Sequence, residues 1–153
     1  MEFKTEAQKA CHARIASMMK DLFGEFVMVR DDAPFFGIAI GSALAQTAVW
    51  PWGDDDATIS TRAYVVTGAE QTSELFKFLL EKNGEMRFGA FGVDSDGDVF
   101  FQHCIVGSTC DKKELKTSVM AVVSTADSLD DEIVARWGGQ RALDKIQSAS
   151  RPK

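Results

Sequence analysis

The sequence is short of the side chains on which most chemistry at neutral pH depends. Its 153 residues include two histidines, His12 and His103, and three cysteines, Cys11, Cys104 and Cys110. General acid–base catalysis most often uses histidine, although carboxylates and lysine can serve. Composition therefore makes a binding or structural protein at least as expected as an enzyme. An odd cysteine count in a chain of this size makes no disulfide framework. Prolines are few, and there is no repeat, low-complexity tract or Pro/Ser linker, so residues 1–153 read as one domain. No apolar run approaches the roughly 20 residues of a membrane span. Met1–Lys20 carries charges throughout and has no apolar signal-peptide core, so a cytoplasmic protein is expected.

What is present describes a folded chain. Hydrophobic residues make up 45% and charged residues 26%, which argues against disorder as the main state. The net charge of -6 disfavours an electrostatic grip on nucleic acid or anionic membrane, because phosphate binding needs clustered Lys and Arg.

Periodicity supplies the elements. A first helix is expected from about Lys4 to Phe23, with the apolar stripe Phe3, Ala7, Cys11, Ile15, Met18 and Leu22 and a stop at Gly24. Strand candidates follow at Phe26–Val29, Phe35–Ile40, Ala43–Trp52 and Thr58–Thr67, with Asp31-Asp32 leading into a turn at Pro34. Three or four strands both fit. Thr67-Gly68-Ala69-Glu70 fits a capping box for a second helix, with the face Leu75, Phe76, Leu79 and Leu80 and a left-handed exit at Asn83-Gly84. Met86–Val93 and Val99–Val106 form a hairpin around Asp94-Ser95-Asp96-Gly97-Asp98. A long helix follows over about Lys112–Trp137, capped by Asp111 and ended by Gly138-Gly139, and Arg141–Ala149 forms a short last helix. Helix, three or four strands, helix, two strands, helix, with hairpin-length connections, gives an α+β fold: an antiparallel sheet packed with helices.

Several clusters invite chemistry and few sustain it. Asp94, Asp96 and Asp98 start like a calcium loop, but Val99 and Ile105 stand where that loop needs Gly and a bidentate Glu, so a polar turn is the better reading. Asp54, Asp55 and Asp56 are neighbours in a loop and point different ways. His103, Cys104 and Cys110, with Cys11 and His12, match no zinc spacing, and strand alternation puts His103 and Cys104 on opposite faces. Helical spacing puts Cys11 on the buried stripe and His12 off it. Cys110 occupies the staple position before the Asp111 cap, against Leu115. The acidic side of the long helix, Asp127, Asp130, Asp131 and Glu132, reads as solvated. Trp50 and Trp52 flank Pro51 and would share a face in a strand. They serve either as core or dimer contacts, which burial tendencies favour, or as exposed anchors for a partner.

The order of motifs in the second half resembles a known family. Leu75-Phe76-Lys77-Phe78-Leu79-Leu80-Glu81-Lys82-Asn83 is followed by Phe88-Gly89-Ala90-Phe91-Gly92-Val93-Asp94, then Asp96-Gly97-Asp98-Val99 and His103-Cys104-Ile105-Val106-Gly107. Ala126-Asp127, Asp130-Asp131-Glu132-Ile133-Val134 and Trp137-Gly138-Gly139 complete the series. Together these resemble the YbjN-like domains, grouped with type III secretion chaperones of the Tir-chaperone kind, over about Thr67 to Gly139. The resemblance implies the order α-β-β-β-α-β-β-α and binding of protein or peptide, often as a homodimer, with no catalysis and no cofactor. No catalytic residue is carried over.

The expectation is thus a non-catalytic, chaperone-like domain that binds a protein or peptide client and works as a homodimer, with Trp50 and Trp52 as candidate partner-binding residues. Docking would use an exposed sheet or helix face or strand addition at an edge, and the acidic surface would steer a basic client. The rival expectation is a small metal- or thiol-dependent enzyme or sensor using His103, Cys104 or Cys110.

Overall fold

The computed structural model describes residues 2–29 and 33–149. Helix α1 spans Glu6–Phe23, and a single 3-10 turn leads into strand β1, Val27–Val29. Strands β2, Phe35–Ile40, β3, Ala43–Trp52, and β4, Asp56–Thr67, follow as a meander. Helix α2, Ser73–Glu85, is succeeded by β5, Ala90–Val93, and β6, Val99–Val106. The long helix α3, Lys112–Trp137, leads to a two-residue strand β7, Gln140–Arg141, and helix α4, Ala142–Ala149. The sheet order is β1-β2-β3-β4-β6-β5, every pair antiparallel, with β7 on the end of β4. The α+β fold is as expected; four strands, the larger of the two expected counts, precede α2, so the chain has one strand more there than the order α-β-β-β-α-β-β-α, with β7 and the short last helix added at its end. The Asp31-Asp32 lead-in lies outside the described residues.

One face of the sheet is the core. Ala45, Val49, Ile59, Ala63, Phe101, Phe36 and Ile38 point to it and are buried, under α1 and α3, whose Ile15, Met19, Leu115, Val119, Val122 and Ile133 are fully buried. Thr47 and Thr61 lie in that layer too and satisfy each other through a 2.9 Å hydroxyl–hydroxyl bond, which makes their burial affordable.

Three helix readings need correction. The buried stripe of α1 is Gln8, Cys11, His12, Ile15 and Met19, one residue round from the expected line. Gln8 is drawn in because its amide donates to the Val49 carbonyl at 2.9 Å while accepting from the Lys4 N–H. His12 enters because Phe3 and Phe36 sandwich its ring, at centroid distances of 5.2 and 4.9 Å.

Helix α2 starts later than the capping-box pattern suggests. Thr72 is the cap, its hydroxyl accepting from the Leu75 N–H, while Thr67 still belongs to β4. The buried face becomes Leu75, Phe78 and Leu79, with Phe78 against Trp137 at 5.1 Å between rings, and Phe76 and Leu80 turn outward. Asn83 makes no left-handed exit; its side chain accepts from the Phe91 N–H at 2.6 Å and donates to the Phe91 carbonyl, clamping β5 to the helix.

On α3, Asp111 caps as expected, accepting from the Glu114 N–H. Its acidic side is not simply solvated. The turn between β2 and β3 lands on it, and Asp130 is buried there, accepting from the Ser42 hydroxyl at 2.7 Å. Asp127 accepts from the Ser42 N–H, and its carboxylate shares the single Ser42 hydroxyl proton with Asp130. Gly41 makes this approach possible: its φ is +60°, and a Cβ there would run into the Asp127 carboxylate.

Candidate functional site

Among the described residues, the centre of the sheet's other face is open, as a shallow depression. Strand alternation sends every second residue there, and the register aligns them in rows. One row runs Phe35, Ala48, Ser60, Cys104; the next runs Met28, Gly37, Gln46, Arg62, Gln102, Ala90. Trp50 opposes Thr58 and Trp52 opposes Asp56 at one end of the face, and Tyr64 opposes Phe100 toward the other. Trp50 and Trp52 share this face, as their spacing requires, and are 51% and 54% exposed, so neither belongs to the core of this chain.

Between them the surface dips into a depression of about 430 Å³ lined by Gln46, Ala48, Trp50, Thr58, Ser60, Arg62, Gln102 and Cys104. A chain of side-chain contacts crosses its floor. Arg62 Nε donates to Gln102 Oε1 at 2.6 Å, the Gln102 amide lies 3.1 Å from Cys104 Sγ, and Cys104 Sγ lies 3.4 Å from Ser60 Oγ. The Arg62 guanidinium also stacks over the Phe100 ring at 4.0 Å. The result is a flat, mostly uncharged and partly aromatic surface that donates and accepts hydrogen bonds without any reactive constellation.

Among the described residues, Asp56 and Asp94 are the carboxylates at the ends of this surface, and both are held by local hydrogen bonds. Asp56 accepts from the Ser108 hydroxyl and N–H and from its neighbour's N–H; these hydrogen bonds, that from the Ser108 side chain first, hold its carboxyl below the usual range. Asp94 is the hub of the hairpin turn, accepting from the Asp96 and Asp98 N–H groups and from the Tyr64 hydroxyl. Loss of hydration works against its charge, but these bonds prevail and its pKa is lowered. The turn reading of this aspartate cluster therefore stands.

His103, Cys104 and Cys110 are given no shared site. His103 and Cys104 leave β6 on opposite sides, as alternation requires. His103 faces the helices, sharing a 2.9 Å hydrogen bond between Nδ1 and Ser118 Oγ on α3, with the exposed Phe88 ring edge-on to it. Burial lowers its pKa, against the opposing pull of Glu114. Cys104 is exposed on the open face. Cys110 is buried against Leu115 in the expected staple position, and burial, reinforced by Glu114, pushes its thiol up to about 11. Among the described residues, no group of three or more His, Cys, Asp or Glu is arranged to hold a metal ion.

A second feature was not visible in the sequence. Strand β5 pairs only with Val99–Gln102, so the second half of β6, from His103 to Val106, has no strand on its outer side among the described residues. Beside it is a groove of about 580 Å³ lined by Phe88, His103, Ile105 and the first turns of α3. β5 is four residues long against eight in β6, and this mismatch leaves the groove open.

No helix among the described residues is long and apolar enough to cross a membrane. No curated protein sequence matches the chain. Among solved structures, a chain of the crystal structure of the ExsC–ExsE complex is similar, with a TM-score of 0.62 at 13% identity, covering 84% of this chain and 96% of that one. That likeness is one of fold. A family model matches residues 9–145, nearly the whole folded region including the open sheet face, and the chain thereby belongs to the T3SS (YopN, CesT) and YbjN peptide-binding chaperone 1 family.

Proposed function

We propose that this chain is a non-catalytic chaperone that binds an extended segment of a client polypeptide on the uncovered face of its sheet, with Trp50 and Trp52 as anchors. The observation that carries this reading is the pairing of two half-exposed tryptophans with a shallow, hydrogen-bonding sheet surface. Large exposed aromatics beside polar groups are what partner surfaces use. The free half of β6 supports a second contact, in which part of the client adds as a strand beside His103–Val106.

The working form we propose is a cytoplasmic homodimer. Apolar groups outside the open face support it: Phe76 and Leu80 on α2, and Phe26 and Val29 along the β1 edge, are all exposed. Light scattering should then give twice the 16.8 kDa chain mass; a monomer at working concentration removes the dimer without touching the binding reading.

An array of short immobilised peptides tests the binding. The expected result is capture of a subset of peptides by the native chain and loss of that capture in Trp50→Ala, with an unchanged far-UV circular dichroism spectrum. Equal capture by Trp50→Ala and Trp52→Ala would remove these residues as anchors.

A further inference from the structure

We propose that Arg62 is the specificity anchor of the open face and takes an acidic side chain, Asp or Glu, of the bound polypeptide. This rests on the open face being the client surface. Among the described residues, Arg62 is the one charged side chain lining the depression, and it stands at the centre of the row Gln46, Arg62, Gln102. Its placement is rigid. Nε is held by Gln102 Oε1, and the guanidinium plane rests on Phe100, whose ring is itself seated over Gly92 on β5.

No ion pair joins Arg62 to a carboxylate among the described residues, although Arg136 is paired with Glu132 and Arg141 with Asp144. The carboxylates at the ends of the face, Asp56 and Asp94, keep their charge but are turned to the Ser108 hydroxyl, the Tyr64 hydroxyl and backbone donors, and neither makes an ion pair with Arg62. With Nε occupied by a neutral amide, the terminal nitrogens keep their donors, which suit a carboxylate's two oxygens.

Local charge thus runs against the net charge. The chain as a whole is acidic at -6 and would attract a basic client at long range. Among the described residues, the depression itself is lined by one cation, Arg62, and by no carboxylate. A segment lying along the strands would meet Trp50 and Arg62 with residues about four apart, since the Trp50 and Gln46 positions on β3 are separated by about 13 Å.

The experiment uses the peptide array with every Asp and Glu also replaced by Asn and Gln. Labelled peptides that bind are then titrated by fluorescence anisotropy against the native chain, Arg62→Gln and Arg62→Lys. The expected result is that replacing one acidic residue weakens binding to the native chain about tenfold or more. Arg62→Gln should bind the acidic and amide peptides alike, and Arg62→Lys should keep part of the preference. Circular dichroism and the alkylation rate of Cys104 check that the variants retain the surface. Peptides that bind native protein with no acidic preference, or an acidic preference that survives in Arg62→Gln, overturn the anchor while leaving the open-face reading in place. A native chain that binds no peptide at all overturns both.

Discussion

Val49 and Trp50 are consecutive residues of β3 with opposite environments: Val49 has no exposed surface, whereas Trp50 is 51% exposed on the far side of the sheet. The two should therefore separate stability from binding. Val49→Ala removes two buried carbons and leaves a cavity, a cost of about 2 kcal/mol. Trp50→Ala should shift stability by no more than about 1 kcal/mol, since exposed positions tolerate change. Urea denaturation of both variants measures the contrast, and a larger loss in Trp50→Ala would place that ring in a structural role.

His12 should make the fold acid-sensitive. Its ring is buried between Phe3 and Phe36, Nε2 has no hydrogen-bond partner, and burial lowers its pKa below the ordinary 6.5. A histidine held neutral when folded is protonated preferentially when unfolded. Its contribution is therefore complete above pH 6.5 and declines as pH falls below that value toward the depressed folded pKa. His103 acts in the same direction. The urea midpoint should fall between about pH 7 and about pH 5, and the slope should flatten in His12→Phe, whose ring keeps the stack. An unchanged slope in that variant would assign the acid sensitivity elsewhere.

Ser42 should fasten the β2–β3 turn to α3. Its removal in Ser42→Ala leaves the buried Asp130 carboxylate without that donor, for a loss of about 1–2 kcal/mol. Hydrogen bonds from Ser42, that of the side chain first, also hold Asp127 below the ordinary carboxylate pKa of 3.8. That lowered pKa stabilises the fold above pH 3.8 and ceases to do so as acid protonates Asp127. Denaturation below about pH 4 should accordingly be less steep in Ser42→Ala than in the native chain. A variant as stable as the native chain would mean that the turn is held by packing alone.

The three thiols should differ in reactivity. Cys104 is exposed, whereas Cys11 and Cys110 are buried and burial raises both of their pKa values. Thiolates are the reactive form. Iodoacetamide should label Cys104 alone in the folded chain and all three cysteines in urea, read by peptide mass spectrometry. Labelling of Cys110 under native conditions would contradict the closed packing around Leu115.

Much of this architecture is legible in the sequence, and the misses have physical causes. Alternation fixes that Trp50 and Trp52 share a face, and that His103 and Cys104 do not, because a strand's period is two. It cannot say which face the helices cover, since that depends on where α1 and α3 land. Trp50 could therefore be read as core from its size alone. The start of α2 is misplaced by the capping-box pattern at Thr67; pairing of Thr67 with β7, a strand too short to signal itself, keeps it in the sheet, and Thr72 caps the helix instead. Asp130 reads as a surface residue from its charge, although its spacing from Ala126 and Ile133 puts it on the buried line of α3; its partner Ser42 lies in a turn 88 residues away in sequence. Arg62 gave no signal at all: one arginine in a strand becomes distinctive only when register sets it beside Gln102 and Phe100.

The most direct measurement is the alkylation rate of Cys104 with and without a saturating peptide chosen from the array. Cys104 lies in the floor of the open face, between Ser60 and Gln102, and is the exposed thiol of the chain. A client lying on that face should slow its alkylation several-fold, by about the fraction of protein bound. An unchanged rate under demonstrated saturation would place the client elsewhere and contradict the account.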